Sequence, residues 1–130
     1  ARREAIWTRY DGGFVDLPLV CPAPVEVGSR HARHLYTVLV DPERCGMARS
    51  VLVEALAARG IATSRHFKAL HLHTFYAERF GLRRGQFPHA ERISDQTVSL
   101  PLFPTMTSDE VDTVIARLRD IVLRHDRVGP

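Results

Sequence analysis

Two histidines, an arginine and the only lysine of the chain lie within seven positions, in the segment Arg65 to His71. Cationic side chains of this kind bind anions, and imidazole exchanges protons near neutral pH. The segment begins at the end of a short predicted strand, Ile61 to His66, and a short helix is predicted to follow from Leu72 to Phe80. This placement at a strand end predicts a site that binds anions or handles protons.

Histidines in the same stretch also allow a metal site to be considered. His66, His71 and His73 are close in sequence, but no carboxylate or cysteine stands among them at a spacing typical of metal ligands. Cys21 and Cys45 have no metal or redox spacing either, and they suit a reduced, cytosolic setting as packing residues. We therefore predict no metal site and a cytoplasmic location.

The composition is that of one globular domain or of the detachable part of a larger protein. The chain has 130 residues, of which 45% are hydrophobic and 25% charged. Its net charge is +3, but the charges are interspersed and do not alternate with aromatic residues, which disfavours nucleic-acid binding. The longest apolar runs are far shorter than the roughly 20 residues that cross a bilayer, so no membrane partner is expected.

The elements that must position these residues alternate along the chain. The first residues have no capping residue before them, so Ala1 is expected to lie within a helix that begins upstream and ends at Gly12-Gly13. Strand, helix and capping patterns then predict an α+β domain with a three- to four-stranded sheet and helices packed mainly on one face. The predicted segments are a strand at 34–40, a helix at 47–59, a strand at 61–66, helices at 72–80 and 88–96, a strand at 97–100 and a helix that begins after the Thr107–Glu110 capping box. Arg44-Cys45-Gly46 is expected to open a helix. The helix at 72–80 carries Phe75, Tyr76 and Phe80 on one side, and these three residues are expected to lie in the core.

Six sequence motifs occur in an order that resembles a known family, the DegT/DnrJ/EryC1/StrS sugar aminotransferases. The chain is similar to their C-terminal small domain from Ala1 to about Arg124, and most similar to the branch that makes UDP-4-amino-4-deoxy-L-arabinose from a UDP-4-keto-pentose. The motifs are His34-Leu35-Tyr36, Arg44-Cys45-Gly46, Arg59-Gly60-Ile61-Ala62-Thr63, the segment with His66 and His71, Tyr76-Ala77-Glu78-Arg79-Phe80, and Ser99-Leu100-Pro101-Leu102-Phe103-Pro104 with Met106-Thr107.

This resemblance implies a fold-type-I enzyme that depends on pyridoxal 5′-phosphate (PLP) and acts in polysaccharide or lipopolysaccharide biosynthesis. It would transfer an amino group from glutamate to a nucleotide-linked keto sugar, and it would work as a homodimer. Residues 1–13 would be the end of an interdomain helix and residues 14–130 the small domain. The large domain, which carries the Schiff-base lysine and binds PLP, would be absent from this chain, so the chain alone is predicted to be inactive.

Four residues are expected at the substrate. The resemblance implies that His71 faces the active site near the sugar, and His66 is the second candidate. Lys68 and Arg65 would contact the substrate as cations at the mouth of the cleft, since the family places its Schiff-base lysine elsewhere. Each of the four could instead have a structural role. His71 could close a strand–helix junction, His66 could be a half-buried strand residue, and Arg65 and Lys68 could be solvated charges.

Two other functions stay open at this point. The chain could be a free-standing module that binds sugar nucleotides or has a regulatory role without catalysis of its own, or a subunit that completes a separately encoded large domain. It could also belong to a neighbouring branch that makes perosamine, aminohydroxybenzoate or an aminocyclitol. Ile6, Trp7 and Tyr10 look like packing residues, which favours a helix covered by other parts of a protein over the polar opening helix of a free-standing module.

Overall fold

The computed structural model describes residues 2–126 of the chain. Within them, six α-helices, two strands and one short 3-10 turn follow one another and form an α+β fold, as the sequence predicts. Their bounds are α1 Arg2–Phe14, β1 Tyr36–Leu39, α2 Pro42–Cys45, α3 Arg49–Ala57, the 3-10 turn Leu70–Leu72, α4 Thr74–Phe80, α5 Pro88–Gln96, β2 Thr97–Leu100 and α6 Ser108–Asp126.

The sheet of the described residues is smaller than predicted. β1 and β2 pair antiparallel, with Tyr36 opposite Leu100 at one end. Each strand has one further neighbour that pairs through a single bridge, Val20 beside β1 and Ser64 beside β2. The three- to four-stranded sheet is therefore not confirmed. Pro18 and Pro22, on either side of Val20, have no N–H to donate, and this prevents a longer edge strand there.

The core lies where α1, α6 and β1 meet. Tyr36 of β1 is fully buried and has aromatic neighbours from α1, with ring centroids 4.8 Å away for Trp7 and 5.0 Å for Tyr10. α6 contributes one apolar face at helical spacing, as predicted. Its buried members are Val111, Val114, Leu118, Ile121 and Val122. The packing role predicted for Ile6, Trp7 and Tyr10 is confirmed, because all three are buried.

The glycine pair near the end of α1 does not stop the helix. α1 continues to Phe14, and neither Gly12 nor Gly13 has a positive φ angle. A Cβ atom at Gly13 would lie 2.8 Å from Cγ2 of Ile115 on α6. Gly13 is therefore explained by the close approach of the two helices and not by a change in backbone direction.

Helix ends follow the capping rules at several positions. The Thr107 N–H donates to Glu110 (2.7 Å) and the Glu110 N–H donates to the Thr107 hydroxyl (3.2 Å), which confirms the predicted capping box at the start of α6. α5 begins at Pro88 as predicted. Arg44-Cys45-Gly46, expected to open a helix, instead closes the short α2, because Gly46 has a φ of +64°.

No helix within residues 2–126 is both long enough and apolar enough to cross a bilayer.

Candidate functional site

The segment Arg65 to His71, which we call the cationic segment, follows the bridge that Ser64 forms with the free edge of β2 and leads through the 3-10 turn into α4. Ser64 and Ser99 exchange two backbone hydrogen bonds, of 3.1 and 2.8 Å, and so fix the start of the segment to the sheet. His66 is half-buried, and its Nδ1 lies 2.8 Å from the Ser99 hydroxyl. Further along, the Ala69 N–H donates to the Ser94 hydroxyl on α5 (2.9 Å). The segment is thus held by the sheet at one end and by α5 at the other.

His71 is the most enclosed member of the segment. Its side chain is only 6% exposed, and its Nε2 lies 2.9 Å from Oε1 of Glu91, whose own side chain is 9% exposed. The ring also packs against Phe87, with centroids 4.8 Å apart. His71 therefore joins the segment to α5 through a buried contact.

Glu91 also organises the loop between α4 and α5. Its carboxylate accepts from the N–H of Gly85 (2.8 and 3.0 Å) and from the N–H of Phe87 (3.2 Å). Burial raises the pKa of Glu91, but the hydrogen bonds from Phe87, Gly85 and His71 outweigh it and leave the pKa below its ordinary value. The carboxylate therefore stays charged near neutral pH and holds both the histidine and the loop.

The other two predicted site residues face solvent. Arg65 and Lys68 are both exposed, and the two cations lie on either side of the half-buried His66. His73 is exposed as well, and within residues 2–126 no group of three or more His, Cys, Asp or Glu side chains is placed to hold a metal ion. The structure thus brings Arg65, His66 and Lys68 to one exposed stretch, with His71 buried beside it.

The described residues do not fit PLP as a cofactor of this chain alone. A lysine that anchors PLP has to be partly desolvated or placed beside other cations to lower its pKa, whereas the only lysine, Lys68, is exposed. The described residues therefore include no lysine that is placed to anchor PLP.

Glu91 was not singled out from the sequence, although a signal for it exists. An acidic residue in the first turn of a helix that begins with proline is placed to accept the free N–H groups of that turn and of the preceding loop. The glycine-bounded loop 81–86 supplies such groups just upstream. That the same carboxylate also reaches His71, 20 positions earlier, depends on tertiary packing and has no local sequence signal.

Large apolar side chains around this site are exposed. Phe75 and Phe80 of α4 were expected to lie in the core, but they are 66% and 61% exposed, so that expectation is wrong. Phe67, Leu70 and Phe87 are exposed too, and we call these five residues the apolar surface. Exposed apolar clusters of this kind mark surfaces that pack against another part of a protein or against a partner.

The chain is similar to proteins of one family along nearly its whole length. A model of the DegT/DnrJ/EryC1/StrS aminotransferase family matches residues 1–119. The spore coat polysaccharide biosynthesis protein SpsC of Bacillus subtilis is 42% identical over 122 residues, which are 93% of this chain and 31% of SpsC.

Solved structures give the same match in three dimensions. The aminotransferase TlmJ from Streptoalloteichus hindustanus has a TM-score of 0.82 at 31% identity, over 95% of this chain and 31% of TlmJ. The PLP form of Spr1654 from Streptococcus pneumoniae has a TM-score of 0.84 at 29% identity, with the same coverage. The chain therefore spans about a third of the length of the relatives it matches.

Proposed function

Because the chain belongs to the DegT/DnrJ/EryC1/StrS aminotransferase family, we propose that it is the C-terminal part of a PLP-dependent sugar aminotransferase. The reaction would move an amino group from glutamate to a nucleotide-linked keto sugar, in the branch that forms UDP-4-amino-4-deoxy-L-arabinose. The observation that carries the proposal is the family match over residues 1–119, together with TM-scores above 0.8 to aminotransferase structures. A role in polysaccharide synthesis is supported by the name of SpsC.

The cofactor would be held by the part of the protein that lies outside this chain. Spr1654 has been solved in PLP and PMP forms, and this chain spans 31% of it. The exposed position of Lys68 agrees with a lysine that does not anchor the cofactor. Residues 1–13 would then end the interdomain helix and residues 14–130 would form the small domain of a cytoplasmic homodimer.

The apolar surface would pack against that missing part. Its phenylalanines and Leu70 lie on the cationic segment, on α4 and on the loop before α5, next to the proposed substrate residues. Leaving them in water would be unfavourable, since each large apolar side chain contributes roughly 1.5–3 kcal/mol when it is fully buried. Packing there would also bring the segment Arg65 to His71 to the boundary between the two parts of the enzyme.

The four proposed substrate residues at this boundary would have different roles. Arg65 and Lys68 are exposed cations and would attract the pyrophosphate of the sugar nucleotide. His66, held through Nδ1 by Ser99, would present the opposite edge of its ring to the sugar. His71, held through Nε2 by Glu91, would keep the segment in place and contact the substrate by its remaining edge.

Kinetics of the intact enzyme test this proposal. We expect His71→Ala to lower kcat/KM for the keto sugar and to leave the PLP absorbance unchanged, because the substitution removes a substrate contact and no cofactor contact. His73→Ala is the matched control, since His73 is exposed two positions away. Wild-type kinetics of folded His71→Ala would remove His71 from the site, and loss of the PLP band would contradict its assignment to substrate.

A second experiment tests the role of Lys68. The 130-residue chain should form no borohydride-reducible PLP adduct at Lys68 and should show no aminotransferase activity alone. A stoichiometric adduct mapped to Lys68 would overturn the assignment of the cofactor to the rest of the protein. The coding DNA gives a further test. We expect an in-frame sequence for a PLP-binding domain upstream of Ala1. If that sequence and a partner gene for such a domain are both missing, the free-standing module would be favoured.

A further inference from the structure

A second group of cations lies in a different part of the fold, where the first turn of α1 meets the loop before β1. Arg3, Arg30, His31 and Arg33 line a cavity of about 460 Å³ there, together with Glu4 and Ser29. None of these residues belongs to the segment Arg65 to His71 or to the apolar surface. The cavity is therefore distinct from the proposed substrate site.

The only carboxylate in the lining is already paired. Both oxygens of Glu4 accept from the Arg33 guanidinium, each at 3.0 Å, and the hydrogen bond from Arg33 lowers the pKa of Glu4. Arg3 and Arg30 form no ion pair within residues 2–126. The Nε of Arg3 is moreover buried without a hydrogen-bond partner among the described residues. An unmatched buried N–H is costly, and the rest of the Arg3 guanidinium has no ion-pair partner among these residues either.

The remaining polar groups of the lining are also able to donate. The backbone N–H of Arg33 donates to Nδ1 of His31 (3.1 Å), so the neutral imidazole carries its proton on Nε2. The Ser29 hydroxyl supplies another donor. With the acceptors of Glu4 in use, the cavity offers mainly donors and two unmatched positive charges. Such a set is complementary to an anion.

The loop that carries these donors is held in shape before any ligand binds. The Arg33 guanidinium stacks over the ring of Trp7 at 4.4 Å, and the His31 ring meets the same indole edge-to-face at 5.2 Å. Arg33 itself has a φ of +48°, a conformation that non-glycine residues rarely adopt and that its surroundings must maintain. Binding to a preformed loop loses less conformational entropy than ordering a free one.

We propose that this cavity binds the phosphate group of a small molecule. Arginine forks match the oxygens of phosphate in pairs, and a dianion matches the excess of three guanidinium groups over one carboxylate. The volume lies in the range of small-molecule sites, which leaves room for an organic group attached to the phosphate. The site is separate from the proposed substrate residues, so it stands or falls independently of the aminotransferase proposal.

Titration of the ¹⁵N-labelled chain followed by NMR tests the site directly. Inorganic phosphate and ribose 5-phosphate should shift the backbone amides of residues 29–33 in a saturable way, with a Kd on the order of 1 mM or below. Acetate at the same ionic strength should give little shift, because it is a monoanion. Tighter binding of ribose 5-phosphate would identify an organic phosphate as the ligand, and equal binding would identify the free ion; both support a phosphate site.

Charge-matched variants separate this site from general attraction to a basic protein. Arg30→Gln should weaken phosphate binding by roughly tenfold or more, because it removes a charge-assisted hydrogen bond, and Arg3→Gln should do the same. Arg92→Gln removes an exposed charge on α5 and should leave the Kd unchanged. Equal affinity of Arg30→Gln and Arg92→Gln, or absence of saturable shifts at residues 29–33 up to about 20 mM phosphate, would overturn the proposal.

Discussion

Adding one methyl group at either of two neighbouring glycines in α1 is expected to change stability in opposite directions. At Gly12 an added Cβ meets no atom within 4 Å, and the residue has no positive φ. Gly12→Ala should therefore stabilise the fold by about 0.5–1 kcal/mol, because alanine loses less backbone entropy than glycine in a helix. The neighbouring position differs only in what lies opposite it.

At Gly13 the same methyl group would collide with α6. Its Cβ would lie 2.8 Å from Cγ2 and 3.1 Å from Cγ1 and Cδ1 of Ile115. Carbon atoms prefer separations of about 3.5–4.0 Å, so Ile115 has to leave its rotamer or the helices have to move apart. Overpacking of this kind costs about 1–3 kcal/mol. After the gain in helix propensity, we expect Gly13→Ala to destabilise the fold by about 1–2 kcal/mol.

Urea unfolding followed by circular dichroism measures both effects under the same conditions. The midpoints should shift in opposite directions while the slope stays unchanged, since neither variant alters the surface exposed on unfolding. Ile115→Ala removes all three colliding atoms, so the double variant Gly13→Ala/Ile115→Ala should recover about 1 kcal/mol relative to the sum of the single changes.

Two results would refute this reasoning. If the Gly13→Ala variant is as stable as the Gly12→Ala variant, α1 and α6 do not approach as closely as the structure has them. A destabilised Gly13→Ala with no energetic coupling to Ile115 would place the cause elsewhere in the helix.

Three further predictions concern single groups. The hydrogen bond from Arg119 lowers the pKa of Asp16 to about 2, whereas the value in the unfolded chain is near 3.8. Because the folded pKa is the lower one, the pair stabilises the fold fully at pH values above 3.8. This stabilisation is lost as the pH falls through about 2. Arg119→Gln should return the Asp16 midpoint in an NMR titration towards 3.8, and an unchanged midpoint would refute the assignment. In the native protein, the half-buried thiol of Cys21 should react with an alkylating reagent before the fully buried thiol of Cys45. Equal alkylation rates of the two thiols would contradict the packing around Cys45. Glu91→Gln should speed hydrogen exchange at the two loop amides that donate to this carboxylate by about tenfold or more, and unchanged exchange would show that they do not depend on its charge.

Local sequence signals predicted most of the helices and both strands. Pro88 marks the first residue of α5, and the capping box Thr107–Glu110 precedes α6, because both act on backbone groups only a few positions away. The strand predicted at 61–66 is reduced to the bridge at Ser64. Sheet pairing depends on neighbours far along the chain, so composition alone could not set its extent.

The site was predicted less completely than the fold. The sequence indicated the segment Arg65 to His71 and its cations, but it could not indicate that His71 is held by Glu91. Helical spacing showed that Phe75 and Phe80 form an apolar group, yet periodicity does not reveal whether such a group faces the core of its own domain or another part of the protein. Here it faces outward.

The packing of α1 against α6 also determines when this domain can fold during synthesis. The two helices join residues as far apart as Gly13 and Arg119, 106 positions along the chain, and β1 cannot pair until β2 has been made. Contacts of such long sequence separation form slowly and require nearly the whole chain. As the ribosome releases the chain from its N-terminal end, Trp7 and Tyr10 stay without their core until α6 emerges. The nascent α1 thus keeps these apolar side chains exposed during most of the synthesis of this chain.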